Sequence, residues 1–136
     1  MTELLVALIV LPIAAAVLPP LSGWFRDRTG WPIATMTLIV QTGLALYLAA
    51  VVANNGRVSY SVGGFAPPFG IELVADGLSI PFVVLVAIVS LGLLAYTRVG
   101  GPRSNPFYSL YLLLVAGLTG VCVTGDTFNL YVFLEI

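Results

Sequence analysis

Of the eleven charged side chains in this 136-residue sequence, five arginines and six carboxylates, one stands where charge is least expected. Glu135 follows Phe128-Asn129-Leu130-Tyr131-Val132-Phe133-Leu134, a run that is apolar except for Asn129. If a helix starts near Asp126, nine residues place Glu135 about 13–14 Å along it. That is close to the middle of a hydrocarbon core about 30 Å thick. An ionisable group at such a depth costs at least about 2.5–3.5 kcal/mol on insertion scales and is a functional candidate for that reason. Burial favours its neutral acid and a nearby cation favours its carboxylate, so it can take up and release a proton near neutral pH. The competing reading is an ordinary loop carboxylate beyond an earlier helix end. Asp126, after Gly125, suits a helix N-cap, and a role in ion entry is the alternative. Asn129, one turn further on, is a candidate for lining a hydrated path or for bonding to a neighbour.

Chemistry of the soluble kind finds few candidates. There is no histidine, no lysine and only one cysteine, Cys122, so a zinc site lacks ligands and an internal disulfide lacks a partner. No nucleotide loop, catalytic triad or haem ligand is present, and no cofactor is expected. The five arginines form no basic patch of the kind that binds nucleic acid. Gln41, Thr37 and Thr42 read as glue between helices, and Gly117, Gly120 and Gly125 as places of close helix approach. Asp76 reads as a cap or interface residue.

The elements that must position these groups follow from composition. The chain is 60% hydrophobic and 8% charged, where a soluble domain carries about 25% charge. Its mean hydropathy is +1.09. Continuous apolar runs, rather than the alternation of barrel strands, predict an all-α integral membrane protein. Four complete spans are expected at residues 4–21, 31–53, 78–96 and 107–123, with an incomplete fifth at 126–136. Eleven residues rise about 16 Å, half of a membrane core, so the sequence reads as the N-terminal piece of something longer. Ala14-Ala15-Ala16 imitates a signal-peptide cleavage site, but Glu3 stands where a basic n-region belongs, and no cleavage is expected.

Arginine counting sets the orientation. Arg26 and Arg28 follow the first span, and Arg98 and Arg103 follow the third. The loop after the second span, residues 54–76, holds only Arg57. The N-terminus is therefore expected outside, with the arginine-rich loops in the cytoplasm and Trp24, Trp31 and Tyr96 at the inner boundary. In the outer loop, Arg57-Val58-Ser59-Tyr60-Ser61-Val62 alternates as a half-buried strand does. Gly63-Gly64 and Pro67-Pro68 punctuate it, and Ile71-Glu72-Leu73-Val74 is expected to return as the second strand of a hairpin lid.

Two stretches carry a family likeness. Tyr60-Ser61-Val62-Gly63-Gly64-Phe65-Ala66-Pro67-Pro68-Phe69-Gly70-Ile71-Glu72-Leu73-Val74-Ala75-Asp76 resembles the segment before the third helix in the D subunit of multisubunit cation/proton antiporters, the multiple-resistance-and-pH type. Thr124-Gly125-Asp126-Thr127-Phe128-Asn129-Leu130-Tyr131-Val132-Phe133-Leu134-Glu135 resembles the fifth-helix motif of the same protein, and is the more specific of the two. The resemblance implies an antiporter-like subunit of the kind shared with respiratory complex I and membrane-bound hydrogenases. Such subunits are bundles of about fourteen helices built from inverted repeats. It implies a hetero-oligomer in the cytoplasmic membrane that exchanges Na⁺ or another monovalent cation for H⁺. It also implies that Glu135 is the acid that pairs with a lysine and moves protons. No lysine occurs here, so such a partner must lie outside this sequence. The rival readings are a proton-pumping subunit of a complex I-like oxidoreductase or hydrogenase, and a membrane scaffold that transports nothing.

Overall fold

The computed structural model describes residues 3–26, 28–66 and 68–136. The first apolar segment is α1 (Glu3–Ala16) continued by a short α2 (Leu18–Ser22). Then come α3 (Gly30–Asn55), a hairpin of β1 (Val58–Ser61) and β2 (Glu72–Ala75), α4 (Ser79–Gly100), α5 (Asn105–Val123) and α6 (Thr127–Glu135). Four helical stretches are long and apolar enough to cross a membrane: Glu3–Ser22, Gly30–Asn55, Ser79–Gly100 and Asn105–Val123. Helices α3 and α4 extend past the apolar runs expected at 31–53 and 78–96. Hydropathy marks only the stretch suited to hydrocarbon, whereas a helix continues until the backbone stops it. Gly56, at φ 78°, stops α3, and Gly101-Pro102 stops α4. Pro67, expected as turn punctuation, lies outside the described residues, as do Met1 and Thr2 at the end whose sidedness the arginines predict.

The regular hydrogen bonding of the first segment is interrupted at Val17, whose backbone stays helical (φ −76°, ψ −25°), and not at Pro12. A proline has no N–H, so the carbonyl four residues before it loses its helical donor. Pro12 strands the carbonyl of Leu8, and Gln41 Nε2 of α3 donates to it at 2.7 Å. The helix runs on unbroken. Pro19-Pro20 strand two consecutive carbonyls. One of them, Ala16, accepts the hydroxyl of Ser109 from α5, and α2 follows. Gln41 is thus interhelical glue, as expected. Thr37 and Thr42 are not: their hydroxyls donate to Ile33 and Leu38 of their own helix at 2.8 and 2.7 Å.

Helix α1 packs against α3 and α5, α3 against α4, α4 against α5, and α6 against α5. Two apolar clusters result. One gathers Leu5, Leu8, Leu48, Val83 and Val123 at the hairpin end. The other gathers Ala16, Leu38, Leu94, Tyr108 and Leu112 at the opposite end. Where they meet, each of α3, α4 and α5 contributes a buried polar side chain: Gln41, Ser90 and Thr119. Between 33 and 44% of each spanning window is buried. The remainder is available to lipid and to other helices.

The hairpin closes one end of the bundle. Its strands pair antiparallel, Val58 with Ala75 and Ser61 with Glu72. Leu73 and Ala75 face the helical core, and the Arg57–Glu72 ion pair, at 3.8 Å, lies near the surface. Asp76 then starts α4. Its carboxylate accepts the N–H groups of Leu78 and Ser79 at 3.0 and 2.8 Å. These backbone bonds, that from Ser79 above all, hold the Asp76 carboxyl below its ordinary pKa of 3.8.

Candidate functional site: the closing helix and its carboxylate

The chain reaches α6 through a turn that the hairpin holds. Leu73 forms a bridge with Thr124, and Gly125 N donates to the Glu72 carbonyl at 2.8 Å. A side chain at Gly125 would lie 2.8 Å from Val74 Cγ2, so the close approach requires glycine. Asp126 has an extended backbone and its carboxylate accepts from Phe128 N and Asn129 N, both at 3.3 Å. It is the N-cap of α6, satisfying donors the helix leaves unpaired.

Asn129 is 4% exposed and donates through Nδ2 to Thr124 Oγ1 at 3.2 Å. That hydroxyl donates in turn to the Asp126 carbonyl at 3.1 Å. Thr124, Asp126 and Asn129 therefore form one knot at the mouth of α6. Asn129 also lines a cavity of about 240 Å³ with Val6, Ile9, Tyr60, Leu73 and Phe133, between α1, the hairpin and α6. An amide in a mainly apolar cavity can hold water by hydrogen bonds; it offers no charge.

One turn beyond Asn129, Phe133 lays its ring against α5 at Gly120, where any Cβ would collide with the ring. A Cβ at Gly117 would come within 3.0 Å of the Phe133 carbonyl. These two glycines let α6 lie against α5. Residues 129 and 133 share a face, being four apart on a helix with 3.6 residues per turn.

Glu135 does not share it. Two residues past Phe133, it lies about 200° around the helix, and six past Asn129, about 120°. It is exposed, on the side that carries the exposed Phe128 and Tyr131. No other helix of the described residues covers that strip, and no arginine among them lies within ion-pair distance of Glu135. The structure thus brings Asp126 and Asn129 together and holds Glu135 apart from both. Sequence reasoning missed Thr124 as the centre of the knot. It also missed the tether from Gly125 to Glu72, a strand-like backbone contact for which the residue types give no signal.

These features define a polytopic α-helical membrane protein in which α6 presents one carboxylate on a face that no other described residue packs against. Comparison with known proteins makes the class specific. No protein-family model matches the chain. It is 43% identical over 115 residues to the N subunit of the NADH-quinone oxidoreductase of Desulforudis audaxviator, covering 79% of this chain and 22% of that one. It is 38% identical over 143 residues to the D subunit of a probable K⁺/H⁺ antiporter of Rhizobium meliloti, covering 98% and 26%. It is 37% identical over 114 residues to the D subunit of a Na⁺/H⁺ antiporter of Alkalihalophilus pseudofirmus, covering 82% and 22%. Among solved structures, a chain of the Mrp complex from Dietzia superposes with a TM-score of 0.86 at 27% identity, over 98% of this chain and 25% of that one. A chain of the archaeal membrane-bound sulfane sulfur reductase superposes with a TM-score of 0.89 at 29% identity, over 98% and 28%. The chain spans about a quarter of the length of these relatives. Sequence and fold fit the antiporter-like subunit family, to which the D subunits of cation/proton antiporters and the N subunit of the quinone-reducing complex contribute relatives. It is a multi-pass cell-membrane protein.

Proposed function

We propose that this sequence supplies the N-terminal helices of a proton-translocating subunit in a multisubunit antiporter that exchanges Na⁺ or another monovalent cation for H⁺. It acts as a transporter rather than an enzyme, within a hetero-oligomer. The observation that carries the reading is the placement of Glu135. It lies about 13–14 Å along α6 from its cap, on the face that α6 leaves unpacked. An ionisable group set in an apolar stretch is a functional candidate, and a carboxyl group binds and releases one proton. It can therefore accept a proton from one side and yield it when a cationic partner comes near. That partner belongs to a surface that meets the Phe128–Tyr131 side of α6. Asp126 and Asn129 are candidates for the approach to it from the hairpin side. In this reading the N-terminus and the hairpin face outward, and the loops bearing Arg26, Arg28, Arg98 and Arg103 face the cytoplasm.

The test is Glu135→Gln in the intact assembly carrying this sequence, assayed by fluorescence quenching in everted vesicles. Antiport falls more than tenfold while subunit composition is unchanged. Undiminished antiport would sink the proposal. A dissolved complex, with transport lost only in consequence, would support a scaffold role for Glu135 instead. The 43% identity to an oxidoreductase subunit favours a second reading, a redox-driven proton pump. Cation-dependent proton flux with no electron donor supports the antiporter; flux that requires NADH or another donor supports the pump.

A further inference from the structure

At the end of the bundle opposite the hairpin, three arginines converge on one cavity. Arg28, from the turn before α3, Arg98, in the last turn of α4, and Arg103, before α5, line a space of about 280 Å³ floored by Trp31, Pro32 and Tyr108. A second cavity, of about 440 Å³, shares Arg28 and Arg103 and reaches Ser104 and Asn105. The two are neighbours through those side chains. The arrangement is held from within: the Arg98 guanidinium lies over the Trp31 ring at 4.5 Å, and Arg103 Nη2 donates to the Arg98 carbonyl at 2.8 Å. The chain enters α3 through a left-handed residue at Arg28 itself, φ 67°. Among the described residues no carboxylate lies within ion-pair distance of any of the three; the ion pair present there is Arg57–Glu72, at the hairpin end.

The planar donor sets of three guanidinium groups around one concavity match phosphate oxygens. The surroundings favour the phosphate of a lipid. Trp24, Phe25 and Val99, at this same end, are 86, 91 and 81% exposed, and Leu18 and Leu21 are exposed beside them on α2. Aromatic and aliphatic side chains in that number at the end of spanning helices suit the boundary between headgroups and acyl chains. A soluble anion has no use for such a rim. An anionic lipid uses both parts, headgroup in the basic cavity and chains along the exposed apolar faces.

We propose that the cavity of Arg28, Arg98 and Arg103 is a binding site for the phosphodiester headgroup of an anionic phospholipid. The site ties the ends of α3, α4 and α5 to the membrane surface, and it does not depend on the role given to Glu135.

The experiment is native mass spectrometry of the intact assembly carrying this sequence, titrated with phosphatidylglycerol or with phosphatidylcholine. Phosphatidylglycerol is retained and phosphatidylcholine is not. Each Arg→Gln substitution weakens retention about fivefold, the factor that corresponds to about 1 kcal/mol per basic residue near a membrane surface. The variant with Arg28, Arg98 and Arg103 all changed to lysine keeps most of it. Unchanged retention when all three are glutamine overturns the proposal. So does displacement of the lipid by millimolar inorganic phosphate, which marks a free-anion site. Loss of a neighbouring subunit together with the lipid also overturns it, because the arginines then serve a protein contact. Should the triple glutamine variant fail to assemble, Arg103→Gln alone decides: Arg103 is exposed, and unchanged retention there refutes the site.

Discussion

The bond between Gln41 and the Leu8 carbonyl exists because Pro12 removes that carbonyl's own donor, and this makes a double-mutant cycle predictable. Gln41 is 1% exposed, and its Nε2 donates at 2.7 Å while its Oε1 has no partner among the described residues. Gln41→Leu leaves the Leu8 carbonyl buried and unpaired, at a cost of about 1–3 kcal/mol. It also removes the unpartnered Oε1, which offsets part of that cost. Interhelical side-chain bonds in membranes are worth about 0.6 kcal/mol on average and up to about 1.7, so a net loss of about 1 kcal/mol is expected. Pro12→Ala restores an N–H at the position that faces the Leu8 carbonyl, and α1 already runs straight through Pro12. In the Pro12→Ala background, Gln41→Leu therefore costs nothing or stabilises. Unfolding of the intact subunit in mixed detergent micelles measures all four corners. A coupling energy of about 1 kcal/mol, of the sign that makes Pro12→Ala rescue Gln41→Leu, is expected. An equal cost of Gln41→Leu with and without Pro12 would refute the reasoning. Gln41 would then act by packing alone.

Three more outcomes follow from the geometry. Gly120→Val drives a side chain into the Phe133 ring and costs about 1–3 kcal/mol of overpacking; limited proteolysis finds α6 loosened, and adding Phe133→Ala recovers part of its protection. Asp126→Ala removes the α6 cap at a cost of about 1 kcal/mol, whereas Asp126→Ser keeps the cap and the stability; reduced antiport in a stable Asp126→Ser assembly supports the ion approach proposed for Asp126, and unchanged antiport assigns it to capping alone. For Asp76, a folded-state pKa held below the ordinary 3.8 means that the ionised form stabilises the fold, fully above about pH 4 and progressively less as pH falls through the depressed value. Thermal melts of Asp76→Asn against the unchanged protein should differ at neutral pH and converge in acid.

Composition and run length made the membrane helices legible, because a spanning helix must satisfy its backbone internally and cover itself with apolar side chains. The hairpin was legible for a related reason. Period-two alternation at 57–62 puts Val58 and Tyr60 on one face, and that face packs against the core. The interruption of helical hydrogen bonding at Val17 was not legible. Pro12 and Pro19-Pro20 strand carbonyls in the same way, and the donors that meet the Leu8 and Ala16 carbonyls arrive from Gln41, 29 residues from Pro12, and from Ser109, 89 residues beyond Pro20. Residue types announce that a carbonyl is free; only the tertiary fold supplies what meets it.

The candidate site shows the same division within nine residues. Asp126, Asn129 and Glu135 were grouped because they are the polar members of one apolar stretch. Their spacing already separates them: six residues at about 100° each set Asn129 and Glu135 roughly 120° apart, on any helix that contains both. Packing then decides what each face is for. Gly117 and Gly120 admit Phe133, so the face with Asn129 and Phe133 must be the one that binds α6 to α5. The face with Glu135 is left open by that choice. If Glu135 carries protons as proposed, a route that also uses Asn129 has to turn around α6, whereas a route that runs straight along the outer face passes Phe128 and Tyr131. Asn129→Leu separates these: it cuts the turning route and spares the straight one, while the Asp126 cap, which bonds to the Asn129 backbone, survives in either case.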